Sequence, residues 1–324
     1  MTGRTVLVTG AAGFIGAAVS AALLARGDAV IGIDDLNDYY DVGLKQARLA
    51  RLEGRPGFRF IRLDISDRQA VMPLAGEPIT EIVHLAAQAG VRYSLVNPYT
   101  YVTANVMGQV VMWELARQLK ALRHFVYASS SSVYGANEKM PFAVGDAVER
   151  PTSLYAATKR MDELMGHTYT HLYGIPATGL RFFTVYGPWG RPDMAPILFA
   201  DAIAAGKPIG LNNNGEMWRD FTYIDDIVDG VLRAADRPAA GAPPHRIYNL
   251  GNNKSEKLTD FLAALEQALG KKAVIDPHPL PPGDVLKTYA DIDATTRDLG
   301  FAPTTPIQVG VPKFIDWYRE YYRV

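Results

Sequence analysis

The stretch Val8-Thr-Gly10-Ala-Ala-Gly13-Phe-Ile-Gly16 decides the fold, because its three glycines follow a short apolar run and open a helical pattern. A turn of this kind presents backbone N–H groups at the start of a helix, where they can receive a phosphate. The first gap between glycines is one residue longer than in the common dinucleotide fingerprint. The stretch therefore predicts a strand, a phosphate-binding turn and a helix.

Short apolar runs alternate with helical patterns through the first half of the chain. We expect strands at 6–8, 29–33, 58–63, 82–85, 125–127 and 177–180. We expect helices at 14–26, 41–52, 67–75, 96–119 and 153–173. This alternation is typical of βαβ units. It predicts an α/β fold with a doubly wound parallel (Rossmann) sheet, whose ligands lie at the carboxyl ends of the strands.

Prolines become frequent after residue 181 and break the chain into shorter pieces. Amphipathic helices fit 257–269 and 307–321, whereas 246–250 has the pattern of a strand that returns to the main sheet. We therefore predict a dinucleotide-binding domain over residues 1–180, with a return segment near 219–250, and a smaller C-terminal α/β substrate-binding domain over 181–324.

Composition and charge exclude several classes of function. The chain has no cysteine, so it forms no disulfide and no thiolate metal site. With 33 basic and 34 acidic residues it creates no field that favours nucleic acid or an anionic membrane. Residues 5–25 carry no charge, but their glycines favour strand, turn and helix over a membrane span. The six histidines lack metal-ligand spacing, so we expect no metal site and a soluble, cytoplasmic protein.

Two aspartates at strand ends indicate which dinucleotide is bound. Asp34 ends the second strand about 20 residues after the glycines, where its carboxylate can accept hydrogen bonds from both ribose hydroxyls. The same carboxylate repels a 2′-phosphate, and no arginine is adjacent, so NAD is favoured over NADP. Asp64 ends the third strand beside the expected adenine position, although an aspartate there can also be a simple turn former.

Tyr155 and Lys159 lie four residues apart, hence on one face of a predicted helix. A phenol is a weak base at neutral pH, but a neighbouring ammonium favours its ionised form, which can take a proton from a hydroxyl while hydride leaves the same carbon. Ser130 ends a strand upstream, so we expect its hydroxyl to hydrogen-bond the reacting oxygen. A serine-rich turn without a chemical role is the alternative.

Five segments together resemble the extended short-chain dehydrogenase family: TGAAGFIG (9–16), HLAAQAGVRYS (84–94), SSSSVYG (129–135), YAATK (155–159) and RFFTVYGPWGRPDM (181–194). The resemblance covers nearly the whole chain, including NDYYDVGLKQARL (37–49) and FIDWYREYY (314–322), and is closest to the family's UDP-glucuronate 4-epimerases. It implies a tightly held NAD that is reduced and reoxidised in each turnover, a UDP-sugar substrate and a homodimer.

The resemblance also implies contacts, carried over residue by residue. Those for the cofactor are Gly10, Gly13, Phe14, Ile15 and Gly16 at the pyrophosphate, Asp34, Asn37, Asp64 and Ile65 at the adenosine, and Leu85, Ala86, Ala87 and Lys159 beside the nicotinamide. Ser130 matches the catalytic hydroxyl and Tyr155 the base, which also lies beside the cofactor. Asn105 resembles a position near the cofactor loop, with a solvated helix residue as the alternative.

Two serines favour one reaction within the family. Relatives that eliminate water or lose CO2 commonly carry an acidic residue just before Val-Tyr-Gly, where Ser131 and Ser132 stand here in the catalytic segment. Epimerisation needs only hydride and hydroxyl-proton transfer, so we expect interconversion of UDP-glucuronate and UDP-galacturonate through transient oxidation at C4. The 4-keto uronate is a β-keto acid prone to decarboxylation, so its carboxylate must be held firmly.

Arginines are the candidates for holding the substrate. Arg191 can grip the carboxylate through two parallel hydrogen bonds, with a surface ion pair as the alternative. Thr184 adds a hydroxyl near the sugar or merely ends a strand. Arg219 is expected to meet the uridine diphosphate, and Arg92 and Ser94 to contact phosphate or sugar, although Arg92 can instead stabilise a loop.

Three other functions stay open from sequence. A UDP-glucose/galactose 4-epimerase requires only that Arg191 be structural, and a UDP-glucuronate decarboxylase is distinguished by CO2 and a pentose product. An NAD-binding sensor or scaffold without chemistry is the non-enzymatic alternative. The intact Tyr155, Lys159 and Ser130 argue against that last one.

Overall fold

The computed structural model describes residues 3–280 and 285–324. Its strands, in chain order, are β1 (Thr5–Thr9), β2 (Ala29–Asp34), β3 (Phe58–Arg62), β4 (Glu81–His84), β5 (His124–Ser130), β6 (Ala177–Phe182), β7 (Thr184–Tyr186), β8 (Pro208–Asn212), β9 (Trp218–Arg219), β10 (Phe221–Tyr223), β11 (His245–Leu250), β12 (Glu256–Lys257) and β13 (Val274–His278).

The helices are α1 (Phe14–Ala25), α2 (Val42–Ala50), α3 (Arg68–Val71), α4 (Pro98–Tyr101), α5 (Gly108–Ala116), α6 (Leu154–Tyr173), α7 (Ala195–Ala205), α8 (Ile224–Ala235), α9 (Leu258–Leu269), α10 (Asp293–Leu299) and α11 (Ile307–Tyr322). The helix predicted over 96–119 is interrupted, because Val102–Met107 is a π-helix between α4 and α5. The helix predicted over 67–75 is also divided, into α3 and the 3₁₀ turn Met72–Gly76.

Seven parallel strands form the main sheet, in the order β11–β6–β5–β4–β1–β2–β3. The inner strands β1, β4, β5 and β6 are almost entirely buried, as is usual for a parallel sheet covered by helices on both faces. The expected return strand is present as β11, which pairs with β6 from His245↔Ala177 to Leu250↔Phe182. The α/β, doubly wound fold predicted from the sequence is thus confirmed.

The C-terminal part adds three two-stranded sheets. Strands β7 and β10 pair in parallel, as do β8 and β13, while β9 and β12 are antiparallel. Residues of β8, β10, α7, α9 and α11 form a separate apolar core, which also contains Phe14 of α1 and Leu44 of α2. Because this core includes side chains from both halves of the chain, the domain boundary at residue 181 stays a prediction.

Residues 5–25, the uncharged stretch, form β1, the glycine turn and α1. Within the described ranges, no helix combines the length and the apolar character that a membrane span requires.

Candidate active site

A cavity of about 710 Å³ opens at the carboxyl edge of the main sheet, between β1 and β4, where the strand order reverses. This is the usual place for a ligand in an open α/β sheet. The predicted site residues that line it are Gly10, Gly13, Phe14, Ile15, Gly16, Asp34, Asn37, Asp64, Ile65, Leu85, Ala86, Ala87, Ser130, Ser131, Ser132, Tyr155, Lys159, Thr184, Arg191 and Arg219. Residues from both halves of the sequence therefore meet in one space.

Two ends of this cavity differ in construction. We call residues 10–16, Asp34 and residues 85–87 the glycine end, and Thr184, Arg191 and Arg219 the arginine end. Tyr155 and residues 130–132 also line the cavity.

The glycine end depends on a backbone that side chains would obstruct. Gly10 has φ +68°, in the left-handed region that glycine adopts readily, and a Cβ there would lie 2.9 Å from the nitrogen of Ala86. A Cβ on Gly16 would collide with the carbonyl oxygen of Gly10. The turn thus brings α1 close to β1 and leaves an open cradle at the helix start, where an anion is favoured.

Asp34 closes the glycine end at the tip of β2. Its carboxylate accepts from the backbone nitrogens of Ala12 at 3.0 Å and Leu36 at 2.9 Å, which fixes it against the turn. Burial raises the pKa of Asp34, while the Leu36 N–H and the ammonium of Lys45 oppose that rise. Lys45 itself donates to the carbonyl and side-chain oxygens of Asn37, at 2.6 and 2.9 Å. The predicted Asn37 is therefore held by a lysine that the sequence reasoning missed.

The loop after β4 is fixed by a threonine at the end of β1. Thr9 Oγ1 accepts from the backbone nitrogens of Leu85 and Ala86, at 3.1 and 2.9 Å. Its own proton goes to His84 Nδ1 at 2.8 Å. Burial lowers the pKa of His84 to about 3, so its ring stays neutral and accepts this hydrogen bond.

Asn105 lies in the π-helix and does not line the cavity. Its side chain accepts from the nitrogen of Gln88 at 2.8 Å and donates to the Gln88 carbonyl at 3.0 Å and to Thr158 Oγ1 at 3.0 Å. It is buried, in contrast to the solvated helix residue considered from sequence. Its contacts hold the loop that continues from residues 85–87.

Helix α6 carries Tyr155 and Lys159 into the cavity. It begins at Ser153, whose hydroxyl accepts from the Ala156 nitrogen at 3.1 Å as an N-cap. Lys159 is buried, and its ammonium donates to the Ala128 carbonyl and to Asp162 Oδ2, both at 3.0 Å. Burial raises the pKa of Asp162 to about 6 against the attraction of Lys159. Asp162 is a second residue that the sequence reasoning missed.

The serine segment follows β5 as a 3₁₀ turn, Ser131–Tyr134. Ser130 Oγ accepts from the Ser132 nitrogen at 3.2 Å and lies 3.1 Å from Ser132 Oγ, so the turn orients it. Next to it, the buried Ser129 donates to Glu163 of α6 at 2.7 Å. Arg181 grips both oxygens of Glu163, at 2.7 and 2.9 Å. These bonds fasten α6 to β5 and β6, and so fix Tyr155 relative to Ser130.

At the arginine end, Arg191 lies in the cavity wall with its side chain 21% exposed. Its Nε donates to Asp193 Oδ1 at 3.1 Å, and Asp193 also accepts from the phenol of Tyr39 at 3.1 Å. The guanidinium is thus in an ion pair, but one that faces the cavity. Arg219 on β9 donates to the carbonyl of Trp218 at 2.9 Å and lines the same space.

Arg92 and Ser94 do not line the cavity. Ser94 is buried and donates to the Val91 carbonyl at 2.6 Å, while Arg92 is exposed at the start of the turn Tyr93–Leu95. Their contact with a ligand stays a prediction. Metal chemistry gains no support, since no group of three or more histidines, aspartates and glutamates in residues 3–280 and 285–324 is arranged to hold an ion.

Charged residues on the buried face of α2 are the main omission from the sequence reasoning. Lys45 and Arg48 share that face with Leu44 and Leu49, and all four are buried. Two cations at apolar positions of an amphipathic helix are a signal that could have indicated them, because buried charges are retained only with partners.

Comparisons with known proteins agree with this geometry. The profile of the NAD dependent epimerase/dehydratase family matches residues 6–251. UDP-glucuronate 4-epimerase 3 of Arabidopsis thaliana is 49% identical over 99% of this chain and 77% of its own length. The crystal structure of UDP-glucuronic acid 4-epimerase from Bacillus cereus, in complex with UDP-glucuronic acid and NAD, superposes with a TM-score of 0.92 at 34% identity, over 98% of this chain and 100% of that one. A UDP-glucose 4-epimerase of Thermotoga maritima, with UDP-glucose, gives a TM-score of 0.88 at 26% identity over 98% and 100%.

Proposed function

The chain belongs to the NAD dependent epimerase/dehydratase family, and from that premise we propose that it interconverts UDP-glucuronate and UDP-galacturonate by inverting C4 of the sugar. The observation that carries the proposal is the position of Arg191, whose guanidinium lines the same cavity as Tyr155 and Ser130. A cation at that place suits a sugar with a carboxylate. With a neutral hexose, Arg191 would serve only as the ion-pair partner of Asp193.

The glycine end fits NAD. Its three glycines, Gly10, Gly13 and Gly16, line the cavity without side chains, so a pyrophosphate can approach the backbone at the start of α1. Asp34 and Asp35 line the cavity together, and two carboxylates disfavour the 2′-phosphate of NADP. Bound there, NAD supplies the acceptor, and later the donor, of the C4 hydride.

Tyr155 is the proposed base. Its phenolate takes the C4 hydroxyl proton as hydride leaves that carbon, and it returns the proton when hydride comes back on the other face. Lys159 is held near the base by Ala128 and provides the positive charge that favours the phenolate. Ser130, oriented by its turn, hydrogen-bonds the reacting oxygen.

The serine segment supports epimerisation over loss of water or CO2. Residues 128–135 contain no carboxylate, and Ser131 and Ser132 line the cavity in its place. Those hydroxyls can hydrogen-bond a uronate carboxylate but are poor bases at a carbon. The 4-keto intermediate then keeps its carboxylate, provided that Arg191 holds it out of line with the carbonyl π system.

The arginine end also supports the diphosphate assignment. Arg219 lines the cavity on β9 and is the proposed contact for the uridine diphosphate, and Thr184 adds a hydroxyl beside the sugar. Arg92 and Ser94 remain weaker candidates, because a ligand reaches them only if the turn around Tyr93–Leu95 approaches it.

A homodimer is part of the proposal. Large apolar side chains are exposed on the neighbouring segments that include α4 and α6, namely Leu95, Val96, Tyr99, Val102, Met107, Met161, Leu164 and Leu172. Pairing with a second copy would remove this surface from water. Light scattering of the wild type and of a Leu164→Glu variant tests the dimer. We expect the wild type to have twice the mass of one chain, and the mass of the variant to shift toward that of the monomer.

The cytoplasmic location also stays a proposal, which cell fractionation tests.

The function is tested by incubating the purified full chain, without added NAD, with UDP-glucuronate and separately with UDP-glucose. We expect proton NMR to show UDP-galacturonate as the main product. When the UDP-glucuronate carries deuterium at C4, the product should retain that deuterium, because the hydride returns to the same carbon. UDP-galactose from UDP-glucose alone would indicate the neutral-sugar epimerase. Release of CO2 with a UDP-pentose would indicate the decarboxylase, and bound NAD without conversion of either sugar would indicate the sensor.

A further inference from the structure

Arg48 of α2 connects segments that are far apart in sequence. Its side chain is fully buried and donates to the Ala12 carbonyl at 3.2 Å, to the Tyr40 hydroxyl at 2.7 Å, to the Trp189 carbonyl at 2.7 Å and to the Gly190 carbonyl at 2.9 Å. Ala12 belongs to the glycine turn. Trp189 and Gly190 are the two residues that precede Arg191.

This arrangement is costly for a merely structural residue. Within the described part of the chain, Arg48 forms no ion pair, and its guanidinium is solvated only by carbonyl and phenol oxygens. Removing such a charge from water carries a large penalty, which is offset only because each carbonyl that Arg48 reaches gains a charged donor. Its fixed fork of donors can bind several carbonyls at once.

The loop that Arg48 grips is held on its other side as well. Trp189 has φ +66°, an uncommon conformation for a bulky residue. Its ring contacts Trp317 and Tyr321 of α11, with centroids 5.4 and 5.3 Å apart, and Arg51 lies 4.6 Å above it. The loop is therefore fixed on its outer side by aromatic packing and on its inner side by Arg48.

We propose that Arg48 is a positioning residue that couples the glycine turn to the guanidinium of Arg191, so that the carboxylate clamp is aligned only when both loops are in place. The inference rests on the proposed function. Arg48 itself is buried and does not line the cavity. It acts through the carbonyls of residues 189 and 190, whose positions fix the backbone of Arg191 and so the place from which its side chain extends.

The test compares Arg48→Met and Arg48→Lys with Arg51→Met in the full chain. Arg51 also contacts Trp189, but it is exposed and lies over the indole ring of Trp189. Arg51→Met therefore controls for the loss of a packing contact at Trp189. Calorimetry gives the affinities of each protein for UDP-glucuronate, UDP-glucose and UDP. The dinucleotide released on denaturation gives its cofactor content.

We expect Arg48→Met to weaken binding of UDP-glucuronate by about tenfold or more, while the affinities for UDP-glucose and UDP change less than about twofold. The affinity of Arg48→Lys for UDP-glucuronate should lie between those of Arg48→Met and the wild type, because lysine can bind fewer carbonyls than arginine. Arg51→Met keeps the wild-type ratio of affinities. In Arg48→Met the cofactor content falls as well, because the Ala12 carbonyl loses its donor.

Each outcome separates the inference from the proposed function. If the wild type prefers UDP-glucuronate and Arg48→Met keeps that preference, Arg48 does not position Arg191 and the inference is overturned. If the wild type does not convert UDP-glucuronate at all, the proposed function fails first; if it converts UDP-glucuronate but binds it no better than UDP-glucose, the carboxylate clamp that the inference invokes is absent and the inference is overturned. Should Arg48→Met not fold, the ratio in Arg48→Lys decides, because a general loss of stability lowers the active fraction for every ligand equally.

Discussion

The glycine end and the arginine end of the cavity are built by different means. The glycine end takes seven consecutive residues, 10–16, and shapes a binding surface from backbone, with Asp34 and residues 85–87 closing it. The arginine end takes Thr184, Arg191 and Arg219 from three separate strands or loops and presents charged side chains. The first is held by hydrogen bonds within the main sheet, and the second by an ion pair and aromatic packing around Trp189.

This difference indicates how general and specific recognition are divided. A backbone cradle at a helix start can bind any dinucleotide pyrophosphate, so it carries the chemistry that the family shares. Guanidinium groups placed by loops decide which sugar is accepted, because loops vary without disturbing the sheet. Variants should therefore affect cofactor retention and sugar choice separately, and the second and third predictions below test that separation.

The largest effect on activity is expected at Tyr155, which lines the same cavity as the glycine end and the arginine end. Tyr155→Phe removes the proposed base without changing the shape of the cavity, so kcat should fall by about 10³-fold or more, while both ends still bind their ligands. Product formation is followed by NMR and affinity by calorimetry. Tyr101→Phe is the matched control, since that neighbouring phenol donates to the carbonyl of Ala89 and its loss should lower kcat less than about tenfold. Full activity of Tyr155→Phe would exclude the tyrosine as base.

The second prediction disrupts the glycine end alone. Gly16→Ala places a methyl against the Gly10 carbonyl, so the free energy of unfolding should fall by about 3 kcal/mol and bound NAD should be lost. Gly76→Ala is the control, because that glycine is exposed and has open space around its Cβ position. Urea unfolding and cofactor content are measured for both. A Gly16→Ala protein with wild-type stability and cofactor would contradict the cradle geometry.

The third prediction disrupts the arginine end alone. Arg191→Met should lower kcat/KM for UDP-glucuronate by about 10²-fold, the usual size for a lost charge-assisted pair, without loss of bound NAD. It should also release CO2, because the β-keto acid is no longer held. Arg246→Met, which changes an exposed arginine outside the cavity lining, is the control. Unchanged kinetics without CO2 would leave Arg191 as a partner of Asp193 only.

The same division explains what could be predicted from sequence. The fold, the glycine turn and Asp34 follow from local spacing, because each depends on residues close together in the chain. Tyr155 and Lys159 are also local, since four residues of helix fix their relation. The glycines of the turn, Asp34, Tyr155 and Lys159 all line the cavity. Their roles in binding and catalysis stay proposals.

What could not be predicted depends on packing between distant segments. The hydrogen bond from Tyr39 to Asp193, and the bonds from Arg48 to the carbonyls of residues 189 and 190, arise only when α2 and the segment before it meet the loop before α7. The spacing of apolar residues along the chain does not indicate which distant segments form hydrogen bonds with each other. The π-helix Val102–Met107 is likewise invisible in a pattern of apolar residues that fits an ordinary helix, yet it places Asn105 against Gln88.

The smallest expected effect concerns the main sheet, where His124 of β5 is buried. Burial lowers its pKa to about 4, so the unfolded chain binds a proton between pH 6.5 and 4 that the folded chain does not. Stability is therefore full above pH 6.5 and is lost as the pH falls toward 4. From pH 7.5 to 5.0 this one group should remove about 1–2 kcal/mol from the free energy of unfolding.

His124→Gln keeps a group that can bond Thr178, the partner of Nε2 at 3.0 Å, and cannot take the proton. Its loss of stability between those two pH values, measured by urea unfolding, should be smaller than that of wild type by the same amount. The buried Asp162 and Asp220, whose pKa values are raised to about 6, change stability in the opposite direction, but they cancel because both proteins contain them. Parallel slopes for wild type and His124→Gln would mean that His124 does not contribute to the loss of stability at acid pH.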